Sequence, residues 1–150
     1  MKSKIHISEI EEKEFAEFLK DQIKKFNNET SPYHLEARKP GAVKTLNLIM
    51  LNEKGEMIGG LAGSTYWDWL DVDDFFIPET LRGQGIGADL LKNAEGIAIE
   101  RGCKRSYLST FGFQARSFYE KQGYYVVGTL KDYPPGSAMY WMRKDFEEDS

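Results

Sequence analysis

Cysteine and histidine are scarce in this chain. Cys103 is its single cysteine, and His6 and His34 are its two histidines. A lone cysteine excludes a disulfide framework and a cysteine metal cluster, and two histidines argue against a histidine-rich metal site. We therefore predict no metal site, and we expect Cys103 to be a small buried apolar residue, as free cysteines commonly are.

The chain also lacks a long hydrophobic run and an excess of positive charge. No run approaches the roughly 18 apolar residues that span a bilayer, and the first six residues carry no secretory apolar segment after their charges. The net charge of −4 argues against nucleic acid as a partner. We expect a cytoplasmic protein that binds neither membrane nor nucleic acid.

The composition that is present is typical of a folded globular domain. The chain has 150 residues, of which 41% are hydrophobic and 29% are charged, and this length is enough to bury a core. No internal repeat, low-complexity tract or linker interrupts it. We predict that residues 1–150 form a single domain.

Hydrophobic periodicity predicts an alternation of strands and helices. We predict a short strand at residues 5–7 and then a helix that Ser8 and Glu11 cap as a capping box, with an aromatic-rich face on the core. That helix ends near Asn28, and the segment from there to Ala42 has prolines and no clear period, which predicts a loop. Further strands are predicted at residues 43–51, 57–67, 70–77, 105–110, 124–130 and 138–146, and further helices at residues 86–101 and 114–122.

A glycine-rich loop between a strand and a helix is the most informative stretch. It contains Gly83, Gly85 and Gly87, and the helical pattern begins at Ile86. Glycine lets the backbone approach a ligand closely, and a helix N-terminus adds unpaired amides and the positive end of a dipole. Such a loop binds phosphate or pyrophosphate, and Arg82 at its entrance adds a positive charge. The alternative is a turn that only lets the helix pack on its strand. The strands on either side of this helix are predicted to be parallel neighbours.

Two phosphate-binding loops fit this stretch poorly. A nucleoside-triphosphate loop ends in Gly-Lys-Ser/Thr, and here Ala88 and Asp89 follow the last glycine. The dinucleotide fingerprint fits in its looser form, with Gly83 and Gly85 as its glycines. However, the motif follows three strands instead of opening the fold, and the next strand, at residues 105–110, offers no acid to bind a ribose.

Two motifs resemble those of a known family. Residues 82–87 read Arg-Gly-Gln-Gly-Ile-Gly, which resembles the R/Q-x-x-G-x-G/A pyrophosphate loop of the GNAT superfamily of acyl-CoA-dependent N-acyltransferases. Residues 115–124 read Ala-Arg-Ser-Phe-Tyr-Glu-Lys-Gln-Gly-Tyr, which resembles that family's A-x-x-F-Y-x-x-x-G-F/Y signature. The family often has an asparagine on the cofactor arm where this chain has Gly112, and the sequence leaves open whether Gln114 replaces it.

The resemblance covers nearly the whole chain and implies the GNAT fold. This fold is α/β (α+β), with a central mixed, mostly antiparallel sheet of six to seven strands that is flanked by helices and splayed at the cofactor site. The family's usual second helix is not obvious between Asn27 and Ala42.

The resemblance also implies acetyl-CoA (coenzyme A) as co-substrate and no metal. The pyrophosphate would lie on the glycine loop and the pantetheine arm between the third and fourth strands. A main-chain amide beside Phe76 and Ile77 would donate to the thioester oxygen and stabilise the oxyanion. The implied cofactor-binding residues are Phe76, Ile77, Arg82, Gly83, Gln84, Gly85, Ile86, Gly87, Ala88, Gln114, Ser117 and Tyr119.

The resemblance implies that two kinds of side chain transfer protons. Tyr119 matches the family's tyrosine, whose phenol, with a reference pKa of about 10, protonates a thiolate of about 8.5; it could instead pack on the sheet with its hydroxyl on a carbonyl. Family members often use a carboxylate of the third strand as the base, directly or through water. Asp73 is our first choice and Asp71, on the same face, the second, whereas Asp74 on the other face is as readily a solvated residue.

The acceptor is the least determined part of the prediction. Tyr66, Trp67 and Trp69 form an aromatic group beside these acids, which suits a small cationic amine through cation–π contact; a dimer contact or a satellite core cluster explains them equally well. The implied function is transfer of acetyl to a primary amine by direct attack. A protein or peptide acetyltransferase and a non-catalytic acyl-CoA-binding module are the alternatives, and a homodimer through the last strands is left open.

Overall fold

The structure is a computed structural model that describes residues 2–147. These residues form two compact units, which divide between Lys39 and Pro40.

The first unit consists of two helices, α1 (Lys13–Thr30) and α2 (Pro32–Ala37). Ser31 caps α2, because its hydroxyl accepts a hydrogen bond from the His34 amide over 3.3 Å. Pro32 occupies the first helical turn, where its missing N–H has no cost. The prediction of a loop from Asn28 to Ala42 is therefore wrong, because Pro32, which indicated a break, begins the helix α2.

The start of the chain also differs from expectation. Residues 5–7 form no strand, since so short a segment is not held without a paired neighbour. The Ser8 hydroxyl donates to the Glu12 carboxylate over 2.7 Å instead of capping a helix, and α1 begins at Lys13. The predicted apolar face of α1 is present but not buried, because two helices alone enclose no deep interior. Its exposed members are Phe15, Phe18, Leu19, Ile23 and Phe26.

The second unit is a six-stranded sheet with two helices. Its elements are β1 (Lys44–Leu51), β2 (Met57–Tyr66), β3 (Trp69–Phe76), α3 (Ile86–Glu100), β4 (Arg105–Phe111), α4 (Arg116–Lys121), β5 (Tyr125–Lys131) and β6 (Ala138–Asp145). The strand order is β1-β2-β3-β4-β6-β5, and only β3 and β4 are parallel. This confirms the predicted mixed, mostly antiparallel α/β sheet flanked by helices, as well as the parallel crossover.

The core lies between the sheet and α3. Leu91, Ala94 and Ala98 are spaced three and four residues apart, so they form one helix face, and all three are fully buried. Leu70 and Val72 alternate along β3 and meet that face. Gly102, with a φ of 91°, follows the last turn of α3 as predicted. This packing fixes the start of α3, and hence the glycine loop, beside the end of β3.

Two irregularities of β3 open the sheet. Its pairing with β4 covers only Trp69 to Asp71, and beyond Asp71 the two strands part. On the other side, Ala62 pairs with Asp74 and Gly63 with Val72, so that Asp73 is the extra residue of a β-bulge. The predicted splay thus begins directly beyond Asp71.

Candidate active site

A cleft of about 860 Å³ opens where β3 and β4 part. Residues 72–77 of β3 and its extension form one wall, and residues 108–110 of β4 form the other. The glycine loop and α4 complete the lining. Of the predicted site residues, the cleft is lined by Asp73, Phe76, Ile77, Arg82, Gly83, Gly85, Gly87, Ala88, Gln114, Ser117 and Tyr119.

The glycine loop presents unpaired main-chain amides. Gly83 and Gly85 have φ values of 79° and 80°, which favour glycine. The first helical hydrogen bond of α3 runs from the Asp89 amide to the Gly85 carbonyl over 3.0 Å. Within the described chain, the amides of residues 85–88 have no acceptor. Four free N–H groups at the positive end of a 15-residue helix are suited to an anion such as a diphosphate.

The three glycines serve different purposes. A Cβ at Gly83 or Gly85 would meet nothing within 4 Å, so at these positions the backbone angle is what requires glycine. A Cβ at Gly87 would lie 3.4 Å from Phe118 Cζ and 3.5 Å from Ile77 Cγ1. At Gly87 a Cβ would make ordinary van der Waals contacts, and phosphate binding by the loop stays a prediction.

Arg82 is fixed at the entrance of the loop. Its Nε donates to the Ile77 carbonyl over 2.8 Å, and its guanidinium lies 5.7 Å from the centre of the Phe76 ring. Gln84 Nε2 donates to the Thr80 carbonyl over 3.3 Å. Gln84 and Ile86 are not among the residues that line the cleft, and their contact with a cofactor stays a prediction.

Tyr119 lies at the inner end of the cleft. It is 7% exposed, and its ring packs edge-on against Phe75, Phe118 and Tyr124. Within residues 2–147 its hydroxyl has no hydrogen-bond partner. Burial raises the pKa of Tyr119 to about 12, so the phenol keeps its proton at neutral pH.

A buried polar network supports Tyr124, on which Tyr119 packs. The Tyr124 hydroxyl donates to Glu95 Oε2 over 2.9 Å and lies 2.9 Å from Ser106 Oγ, and Lys144 Nζ donates to Glu95 Oε1 over 2.7 Å. Glu95 was not singled out from the sequence. Its position four residues after a buried leucine of α3 is the signal that places it on the buried face.

The carboxyl of Asp71 lies near that of Asp73 and contributes to raising its pKa. Asp71 Oδ2 also accepts hydrogen bonds from the hydroxyls of Tyr66, over 3.0 Å, and Tyr107, over 2.8 Å. The pKa of Asp73 is raised to about 6 by partial burial of its carboxyl, then by the hydrogen bond and charge of Asp71, and then by the charge of Asp74. Asp73 and Asp74 line the cleft, and Asp71 does not.

The aromatic residues predicted to bind the acceptor lie off the cleft wall. Tyr66 and Trp67 line a separate cavity of about 220 Å³. The guanidinium groups of Arg105 and Arg143 lie over the Trp69 ring, at 5.3 and 4.9 Å from its centre. As acceptor contacts, these three residues stay predictions.

Gln114 closes the end of β4. Its Oε1 accepts from the Phe111 amide over 2.8 Å and lies 3.4 Å from Thr110 Oγ1. At Gly112 a Cβ would lie 3.2 Å from Ser137 Oγ, so a larger residue is accommodated only if Ser137 shifts. The Gln114 oxygen is thus engaged by the protein, and a cofactor contact of its amide group stays a prediction.

An aromatic stack at the rim of the cleft was missed in the sequence. The Phe111 and Phe113 rings are 5.4 Å apart at 8°, and the Phe111 and Tyr133 rings are 6.0 Å apart at 23°. Phe113 lines the cleft and is 69% exposed. The signal was two aromatic residues at alternate positions, one ending β4 and the other just after it.

The described residues contain no cluster of three or more histidine, cysteine or acidic side chains that could hold a metal ion. In the same range, none of the helices has the length and apolarity required to cross a membrane.

A family comparison agrees with this geometry. The model of the acetyltransferase (GNAT) family matches residues 7–124. The chain belongs to the GNAT acetyltransferase family. This GNAT protein is therefore an acyltransferase, and the family and fold attributed to it from sequence are confirmed.

Individual relatives extend the comparison. The GNAT chain is 40% identical to the blasticidin-S acetyltransferase of Streptomyces morookaense over 94 residues. This aligned stretch covers 62% of the GNAT chain and 69% of that protein. An acetyltransferase crystal structure from Bacillus cereus is 31% identical, covers 95% of this chain and 98% of its own, and has a TM-score of 0.81. An aminoglycoside 6′-N-acetyltransferase complexed with coenzyme A shares the fold, at 18% identity and a TM-score of 0.60 over 89% of this chain and 94% of its own.

Proposed function

We propose that this GNAT acetyltransferase transfers the acetyl group of acetyl-CoA to a primary amine by direct attack, without a covalent enzyme intermediate. The observation that carries the proposal is that one cleft is lined by the loop with free amides at residues 85–88, by Tyr119 and by Asp73. An anion site, a protonated phenol and a carboxyl of raised pKa are the groups that such a transfer uses. The proposal takes residues 1–150 as one domain that acts in the cytoplasm.

The residues present fit a coenzyme diphosphate and arm. The amides of residues 85–88 and the guanidinium of Arg82 would hold the diphosphate. Beyond Asp71, β3 has no partner on its β4 side, so its main chain there is available to the arm. Acetyl-CoA, when bound, supplies the activated acetyl group. The fold relative complexed with coenzyme A supports this assignment.

The chain's own groups then have distinct tasks. A main-chain amide beside Phe76 and Ile77 donates to the thioester oxygen as negative charge develops on it. Asp73 accepts a proton from the acceptor ammonium, whose reference pKa is about 10.4. As the carbon–nitrogen bond forms and the carbon–sulfur bond breaks, Tyr119 donates its proton to the sulfur and regains one that the nitrogen loses.

The charge of the cleft favours a cationic acceptor. Asp73 and Asp74 are the acidic residues of its lining, and carboxylates attract an ammonium group. The rings of Phe76 and Phe113 add exposed apolar surface, which suits the body of a small amine. The relative named for blasticidin-S makes that antibiotic a first candidate acceptor.

Thiol release from acetyl-CoA tests the proposal. The acceptor panel contains blasticidin-S, aliphatic diamines, a lysine peptide and a peptide with a free N-terminus. Release with small amines supports the proposal, and release with peptides alone makes the chain a protein acetyltransferase. If coenzyme A binds by calorimetry but no acceptor is acetylated, the chain is an acyl-CoA-binding module. Tyr119→Phe should then change nothing, whereas in an enzyme it should lower kcat and leave coenzyme binding near normal.

A further inference from the structure

Asp71 and Asp73 are close neighbours in unequal surroundings. Asp73 is the extra residue of the β3 bulge and lines the cleft. Asp71 lies in the paired part of β3, directly opposite Tyr107 of β4. Because a bulge re-aims the side chain it carries, one carboxyl meets the cleft while the other stays among the side chains of the adjacent strands.

Two phenols hold the Asp71 carboxylate, one from each strand next to β3. Tyr66 comes from β2 and Tyr107 from β4, and both hydroxyls donate to Oδ2. The two phenol oxygens are themselves 2.9 Å apart, so the three oxygens form a closed triangle. The pKa values of Tyr66 and Tyr107 are raised, chiefly by burial. Both phenols therefore stay protonated and remain donors in any ordinary assay buffer.

These contacts give the two carboxyls different chemistry. Both phenols donate to Oδ2 of Asp71, and Asp71 does not line the cleft, so this carboxyl is engaged by the protein and lies away from an acceptor. The negative charge held there opposes a second negative charge on Asp73. We propose that Asp71 is a fixed negative charge, that Tyr66 and Tyr107 are positioning residues that hold it, and that Asp73 is the carboxyl of the pair that exchanges protons with the acceptor. This rests on the proposed function, in which a carboxyl of this pair is the base.

Few other charges face the pair. Asp74, on the same strand, adds its negative charge to that of Asp71. Arg105 and Arg143 lie against the Trp69 ring, and Arg143 forms a 2.7 Å hydrogen bond with Asp145. Among the described residues, no lysine or arginine forms an ion pair with Asp71 or Asp73.

The two aspartates are separated by substitution with asparagine. Asp71→Asn removes the charge but keeps an oxygen for both phenols. We expect it to lose much less turnover at pH 8 than Asp73→Asn and to move the acid limb of kcat/KM about one unit to lower pH, because Asp73 loses its charged neighbour. Asp73→Asn should lose roughly 100-fold or more, since it removes the base. Equal losses in the two variants would overturn the assignment.

Removal of one of the two phenols should move the acid limb of kcat/KM to higher pH. In Tyr107→Phe, Asp71 loses an O–H dipole that partly offsets its negative charge, so Asp71 opposes a second negative charge on Asp73 more strongly. The acid limb should therefore rise by up to about one unit, and Tyr66→Phe should change it in the same direction. Tyr125→Phe is the matched control, because its hydroxyl donates to Asp145 over 2.6 Å. General loosening of the protein would not produce opposite shifts.

A titration of the carboxyl carbons by NMR, in the protein without ligand, supplies a readout that does not depend on turnover. The Asp73 midpoint should lie near 6, lower in Asp71→Asn and higher in Tyr107→Phe. If the unmodified protein acetylates no amine but these midpoints move as stated, the proposed function fails and the arrangement of the pair stands. If acetylation occurs and the Asp73 midpoint is the same in all variants, the positioning roles are refuted.

Discussion

The ring of Tyr119 lies edge-on against the ring of Tyr124, with their centroids 5.9 Å apart. Tyr124 is in turn held by Glu95 of α3, and Glu95 by Lys144 of β6. The residue proposed to protonate the thiolate is therefore supported by a buried network that joins α3 to the sheet. Precise placement of a reacting group depends on such support.

Loss of this network should destabilise the protein. Glu95→Gln leaves Lys144 without its buried partner and should lower the free energy of unfolding by about 2–4 kcal/mol, and Tyr124→Phe by about 1–2 kcal/mol. Urea unfolding followed by circular dichroism measures both. Tyr125→Phe, which removes a hydroxyl from an exposed phenol–carboxylate pair, should cost less than either. A loss no larger than that of Tyr125→Phe would mean that the network contributes nothing net.

The raised pKa of Asp73 predicts a dependence of stability on pH. A carboxyl whose pKa is higher in the folded protein than in the unfolded chain favours folding when protonated, and this contribution is lost as pH rises through about 6. Asp73→Asn should therefore increase the free energy of unfolding at pH 8 and leave it nearly unchanged at pH 4. Urea unfolding at the two pH values checks this. An equal effect at both would exclude a raised pKa.

Two glycine substitutions separate the ligand loop from the helix behind it. Gly85→Ala forces a side chain into a left-handed conformation, which costs roughly 1–2 kcal/mol and displaces the free amides. We expect at least tenfold weaker coenzyme A binding by calorimetry. Gly96→Ala, in α3 with nothing within 4 Å of its Cβ, should stabilise the protein by about 0.5–1 kcal/mol and leave binding unchanged. Equal binding by both variants would remove the loop from the coenzyme site.

The exposed ring of Phe113 should contribute to acceptor binding. Phe113→Ala removes the outer member of the aromatic stack, and an aromatic contact is worth about 0.5–1.5 kcal/mol. We expect the KM of the acceptor to rise roughly two- to tenfold, with the KM of acetyl-CoA unchanged. Steady-state kinetics with each substrate varied in turn measures the two values. A rise confined to acetyl-CoA would place the coenzyme, not the acceptor, on this ring.

Much of the fold could be predicted because local pattern and tertiary structure agree in the second unit. The alternation along β3, the helical spacing of α3 and the glycine that ends it all have local causes. The first unit was predicted less well. Pro32 indicates a break or a helix start equally, and the chemistry that decides between them is a hydrogen bond from the His34 amide to Ser31. Ser8 has the right residue type for a cap, but its hydroxyl binds Glu12.

The residues of the candidate site were likewise predictable from sequence to different degrees. The glycine loop and Tyr119 belong to contiguous motifs, so a single stretch of sequence identifies each. The two hydrogen bonds that hold Asp71 come from Tyr66 and Tyr107. These residues are 41 positions apart in the chain and meet only through strand pairing. Likewise, no local pattern indicates that Asp73 is a bulge residue, because the bulge is defined by what stands opposite it on β2.

Only three residue pairs join β3 to β4, and these pairs are the sole strand contact between β1-β2-β3 and β4-β6-β5. In the middle of the sheet, β3 and β4 are therefore paired at one end and unpaired at the other. A ligand that offers peptide-like groups to the open end would pair with β3 only in the folded protein, so the stability of the sheet would rise with the concentration of that ligand.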